Sequence, residues 1–191
     1  MTDALAQHTP PHGGALAACC ALALLGGCNT TPEAYELANM RGHNVLPRST
    51  PASFVAAFDR YCADPSAVPA ALENALQDAD YVPLRTGKSG LNGFVVDDNR
   101  PAVFINGGPR LRHCAVGAKS RSGQTARVVS FVAERFPDAS PIDTTGFGEN
   151  TERAWATEDG RSIIYTYRDG ALRQPSLFIF GKMEPGDRVL H

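Results

Sequence analysis

A chain of 191 residues has room for one domain and a leader. Hydrophobic residues make up 43% and charged residues 20%, which excludes a disordered composition and leaves enough apolar side chain for a buried core. Eighteen Lys and Arg stand against 20 Asp and Glu, and so even a balance argues against nucleic acid as a partner.

Residues 15–25 (ALAACCALALL) form an uninterrupted apolar run, followed by Gly26, Gly27 and Cys28. Such a run is too short to cross a bilayer, which needs about 20 residues, but it suits the core of a signal peptide. Leu25-Gly26-Gly27-Cys28 resembles the lipobox of bacterial lipoproteins. The resemblance implies that residues 1–27 are removed and that Cys28 becomes the lipidated first residue. The cleaved chain would carry 18 bases and 19 acids, because Asp3 is the leader's only charge. Residues 1–14 lack the Lys or Arg with which signal peptides usually begin. Asn29, rather than Asp, follows the cysteine. By the same resemblance, that points to the outer membrane. The resemblance covers the leader alone and implies a route, not an activity.

Residues 28–49 read as a tether. Thr31, Pro32 and Glu33 make an N-cap, a proline at N1 and a first-turn acid, and Gly42 could close a brief helix. The few apolar side chains (Tyr35, Leu37, Met40) fit a mobile spacer equally well. The folded domain is expected over 50–183. Thr50-Pro51 starts a helix whose stripe is Phe54, Phe58, Tyr61 and Cys62, ending before Asp64-Pro65. Ser66 is expected to cap a second helix running through Val68, Leu72 and Leu76. The stretch 83–92, with Arg85 and Lys88, reads as an exposed loop.

Strands are expected at 93–96, 102–105 and 110–119, joined by short turns into an antiparallel meander. In the third of these, Arg112, Cys114, Val116 and Ala118 alternate with Leu111, His113, Ala115 and Gly117, and the strand is expected at the sheet centre. A helix starting at Ser122 follows, with Val128, Val129, Val132 and Phe136 on its apolar side and Pro137 as its stop. Three more strands are expected at 153–157, 162–167 and 176–180. Asp159-Gly160 supplies a hairpin turn between the first two. Residues 184–191 read as a polar, fraying tail. The fold class is therefore α+β: a single antiparallel sheet of about five or six strands with helices packed on one face. No repeat of 20–50 residues stands out, although the strand-helix-strand order could conceal a weak one.

With Cys28 lipidated, Cys62 and Cys114 are the two cysteines left in the body, and an even pair in an exported chain favours a disulfide. His113 and Cys114 cannot act together as a nucleophile and base, because adjacent strand residues point to opposite faces. Thr86-Gly87-Lys88-Ser89 lacks the upstream glycine of a phosphate loop, with Val82 in its place. His43, His113 and His191 are too scattered to suggest a metal site, and no cofactor is expected. The pairs Asp97-Asp98 and Glu158-Asp159 fall at turns, where Asp bonds locally. Trp155, Tyr165 and Tyr167 are read first as core. If they face outward, they form a flat candidate surface for a partner.

These observations favour a lipid-anchored envelope protein on the outer-membrane or periplasmic side, acting as a non-catalytic binding or structural module. Its expected partners are the membrane, through Cys28, and an envelope protein. Two other classes stay open: a hydrolase with a spatially assembled site around His113, and a small inhibitor or immunity protein presenting the loop at 85–92.

Overall fold

The computed structural model describes residues 31–41, 44–64, 66–84, 91–169 and 176–189. Cys28 and the leader, His43, most of the loop at 83–92 and His191 lie outside the described residues. Among the described residues, four α-helices and one antiparallel sheet form an α+β fold. The sheet has eight strands, two more than the most expected from sequence.

The first helix, α1 (Pro32–Asn39), forms as the capping signals require. Thr31 Oγ1 accepts a hydrogen bond from the Ala34 N–H. It buries no side chain and lies against the first edge strand. Helix α2 (Pro51–Tyr61) repeats the device, with Thr50 capping Ser53 N–H, and its stripe of Phe54, Phe58 and Tyr61 is buried. The next helix, α3 (Pro69–Gln77), starts later than expected. Ser66 bonds Asp64 instead of capping it, Pro69 opens the helix, and Val68 is exposed.

The strands are β1 (Val82–Leu84), β2 (Leu91–Val95), β3 (Ala102–Asn106) and β4 (His113–Lys119), then β5 (Ser140–Pro141), β6 (Thr151–Ala156), β7 (Ile163–Arg168) and β8 (Leu177–Met183). Helix α4 (Gln124–Arg135) separates the two sets. Its N-cap is Gly123 at φ 82°, not Ser122. The buried side chain of Gln124 instead ties the helix start back to the end of β4: its Oε1 accepts from Arg121 N–H and its Nε2 donates to the Lys119 carbonyl.

The sheet order is β1-β2-β3-β4-β8-β7-β6-β5. Two four-stranded meanders therefore meet along the antiparallel pair β4·β8. A dyad normal to the sheet relates their topologies and sends the helix before each meander to the same face. The central position expected for the Cys114 strand holds. Each edge strand contains a proline, Pro83 in β1 and Pro141 in β5, which removes a donor where another strand could add.

Helices α2, α3 and α4 pack on one face, over Phe94, Val103, Ile105, Cys114, Val116, Ile164, Phe178 and Phe180. Phe58 stacks on Phe180 at 3.7 Å between centroids. Cys62, the C-cap of α2, and Cys114 of β4 lie at disulfide distance, their Cα atoms 5.3 Å apart. The opposite face holds Ala115, Ile163, Tyr165, Tyr167, Ile179 and Met183, with Ile142, Phe147 and Val189 packed against them.

Both ends of the domain extend past the expected limits. Asn44 and Ser49 are buried, and Pro47 accepts a backbone bond from Lys119, so the tether's second half belongs to the fold. The tail is docked as far as Val189. Glu184 N–H donates to Arg112, and Arg110 and Arg112 form ion pairs with Glu184 and Asp187.

Candidate functional site

Among the described residues, two places in the fold hold a basic side chain that burial displaces from its ordinary range, His113 and Lys182. The first is the face turned away from the helices, where β3, β4, β8 and β7 bring His113 and Tyr165 together. The register places Gly93, Phe104, Ala115, Gly181, Tyr165 and Ala154 in one row across the sheet. Tyr165 lies flat across β8: a Cβ added at Gly181 would stand 2.5 Å from its ring carbons. That passage carries its hydroxyl to His113 Nε2 at 2.8 Å. Phe104 lies likewise against Gly93 and Gly117. The side chain of Asn106 fixes the turn into β4, its Oδ1 accepting from the N–H groups of Arg112 and His113.

Burial pushes the His113 imidazole down to about 4, with Asp187 opposing the shift. His113 is therefore neutral near pH 7, 5% exposed, and held by Tyr165. That geometry makes it a polar tie between β4 and β7 across β8.

The second place is a cleft of about 360 Å³ on the helix side, at the end of the sheet. It opens where the chain leaving α2 (Ala63), the chain leaving α4 (Arg135 to Ala139) and the β6–β7 turn (Thr157 to Ser162) converge. Lys182 of β8 lines it, and its cross-strand neighbours are Cys114 and Ile164. Alternation puts Lys182 on the same apolar face as Phe178 and Phe180. Its Nζ donates to the Ala63 carbonyl at 3.0 Å, receiving an orphan acceptor just beyond the end of α2. Among the described residues it enters no salt bridge. Burial lowers the Lys182 ammonium to about 8, against the pull of Asp64 and Asp159 and with the help of Arg135.

The other charges of the cleft stand at its rim. Arg135 Nε pairs with Asp59 at 3.1 Å. Asp159 is committed to the turn, accepting from Thr157 Oγ1 and the Arg161 N–H, bonds that hold its carboxyl below the usual range. Asp138 and Glu158 are exposed. Cleft residues of this kind, with a displaced amine and convergent polar groups, are where a binding or reactive site is expected.

No family model matches the chain. Comparisons with curated proteins and with solved structures give no significant match either.

The residues singled out from the sequence are not brought together. Trp155 packs on the helix face, while Tyr165 and Tyr167 lie on the other. All three are at most 9% exposed, so the outward partner surface is corrected to core packing, the first reading of these residues. Asp97 and Asp98 are bound at their turn by Asn44 and Arg100. No group of three or more potential metal ligands occurs among the described residues. Lys182 was missed because the expected strand stopped at Phe180. A lysine in step with Phe178 and Phe180 was the signal.

Proposed function

We propose that this chain is an exported lipoprotein whose folded domain is a binding module of the cell envelope, with the Lys182 cleft as its ligand site. The leader supports the export route: an apolar core ends in Leu25-Gly26-Gly27-Cys28. Cys62 and Cys114, at disulfide distance inside the core, fit an oxidising compartment. The anchor would place the domain at the periplasmic side of the envelope, on the outer membrane by the resemblance of Asn29.

One observation carries the binding reading. Lys182 brings a charged amine into the apolar end of the core, and among the described residues its one bonded partner is a backbone carbonyl. Burying charge without a counter-ion costs stability. A helix end can be satisfied without lysine, and the amine's remaining donors are left for what enters the cleft.

The test has two arms. Labelled palmitate should enter the wild-type chain and not Cys28→Ala; label in the mutant overturns the anchor. A low-mass fraction of envelope extract should raise the Tm of the wild type but not of Lys182→Met. Equal behaviour of the two proteins overturns the binding site.

A further inference from the structure

The charges of the cleft are sorted by depth. Lys182 is the one half-buried charge among its lining residues; Asp138, Glu158, Asp159 and Arg135 stand at the exposed rim. An ammonium has three donors, and Ala63 takes one. Arg135 spends only its Nε, on Asp59. Asp138 and Glu158 have no partner among the described residues, in contrast to Asp159.

A simple anion would meet Lys182 inside, with Arg135 exposed at the mouth, but three carboxylates on the way in. The C-terminal ends of α2 and α4 add partial negative charge, and Asp64 lies close by. A simple cation would meet Lys182. A ligand with both charges satisfies both zones. Resting on the reading of the cleft as a ligand site, we propose that it takes a zwitterion of the amino-acid or short-peptide class, with its carboxylate received by Lys182 and Arg135 and its ammonium by Glu158 and Asp138. The cleft volume of about 360 Å³ lies within the range of small-molecule sites. Apolar walls from Phe136, Pro137 and Ala139 leave space for a small side chain.

Isothermal titration of the full chain with five probes tests this: glycine, glycylglycine, N-acetylglycine, glycinamide and sulfate. A zwitterion should bind about ten-fold or more tightly than the two single-charge probes, the size of one charge-assisted contact. Preference for glycylglycine assigns the site to a peptide, and preference for glycine to a free amino acid. Lys182→Met should weaken zwitterion binding about ten-fold or more. The surface variant Asp138→Asn with Glu158→Gln, which leaves the core untouched, should weaken the zwitterion and spare N-acetylglycine. Binding should fall as pH rises through about 8, where Lys182 loses its charge beside Arg135, Asp64, Asp138, Glu158 and Asp159.

Sulfate binding as tightly as the zwitterion overturns the ligand class, and so does a surface variant without effect. If extract stabilises the wild type through Lys182 while no probe binds, the class falls and the binding site stands. If neither happens, both fall.

Discussion

Replacing Gly181 by alanine tests the packing that joins the two halves of the sheet. In a strand, glycine to alanine is ordinarily neutral or favourable, since glycine is poor in strand interiors. Here the new Cβ would stand 2.5 Å from two Tyr165 ring carbons and 2.6 Å from the hydroxyl. Carbon contacts settle at about 3.5–4.0 Å, so the ring must retreat by about 1 Å. Tyr165 is fully buried, so the retreat must displace packed core neighbours. Its 2.8 Å bond to His113 would stretch past the limit of a hydrogen bond. Overpacking costs about 1–3 kcal/mol, and leaving a buried polar pair unmade costs about 1–3 kcal/mol. We expect Gly181→Ala to destabilise by about 4 kcal/mol, read as a lower urea midpoint at unchanged slope. In a domain of this size the Tm should fall by about 8–16 °C. Tyr165→Val should remove the clash, so the double variant should be no less stable than Tyr165→Val alone. The coupling in that cycle should exceed about 2 kcal/mol. A Gly181→Ala protein as stable as the wild type, or an additive double variant, refutes the contact.

Three further outcomes follow from the same structure. Replacing Cys62 and Cys114 by serine opens a loop with a sequence separation of 52, which the chain-entropy treatment values at about 4 kcal/mol; an unchanged unfolding midpoint in oxidising buffer would show that the pair is not bonded. Because the His113 imidazole is held near 4 when folded against 6.5 ordinarily, the unfolded chain takes up the proton first, and stability should drain as pH falls from about 6.5 to 4. The loss should approach about 3 kcal/mol relative to His113→Gln measured alongside by urea titration, and parallel pH profiles would remove His113 from the account. Thr166 is fully buried, and its Oγ1 finds no partner among the described residues; Thr166→Val should therefore raise stability by about 1 kcal/mol in a thermal melt, whereas a loss would reveal an acceptor for the hydroxyl.

Much of the fold could be read in the chain because its signals are local. Thr50-Pro51 and Thr31-Pro32 fix helix starts by capping, Asp159-Gly160 fixes a hairpin by its backbone, and alternation in β4 assigns Cys114 and His113 to opposite faces. The two missed strands have a different character. Val82–Leu84 and Ser140–Pro141 are three and two residues long, each with a proline. No alternation develops over so short a span, and their strand character comes from the neighbours that recruit them. Ser122 is not the cap because Gly123, in the left-handed conformation that glycine tolerates, takes the N-cap position one residue later. The tail looked polar, yet Glu184 and Asp187 find Arg110 and Arg112 only after β4 and β8 pair. The Lys182 cleft was hidden for a related reason. Its walls come from three separated segments, and sequence shows only the lysine out of place on an apolar stripe.

We propose that the chain crosses to an oxidising compartment, is held there by a lipid on Cys28, and keeps Cys62 joined to Cys114. The intact mass of the protein, extracted from its native membranes without reductant, tests all three at once. We expect a chain that starts at Cys28, carries the added acyl mass, and is two hydrogens lighter than the reduced form. A mass matching the chain from Met1 with free thiols contradicts it.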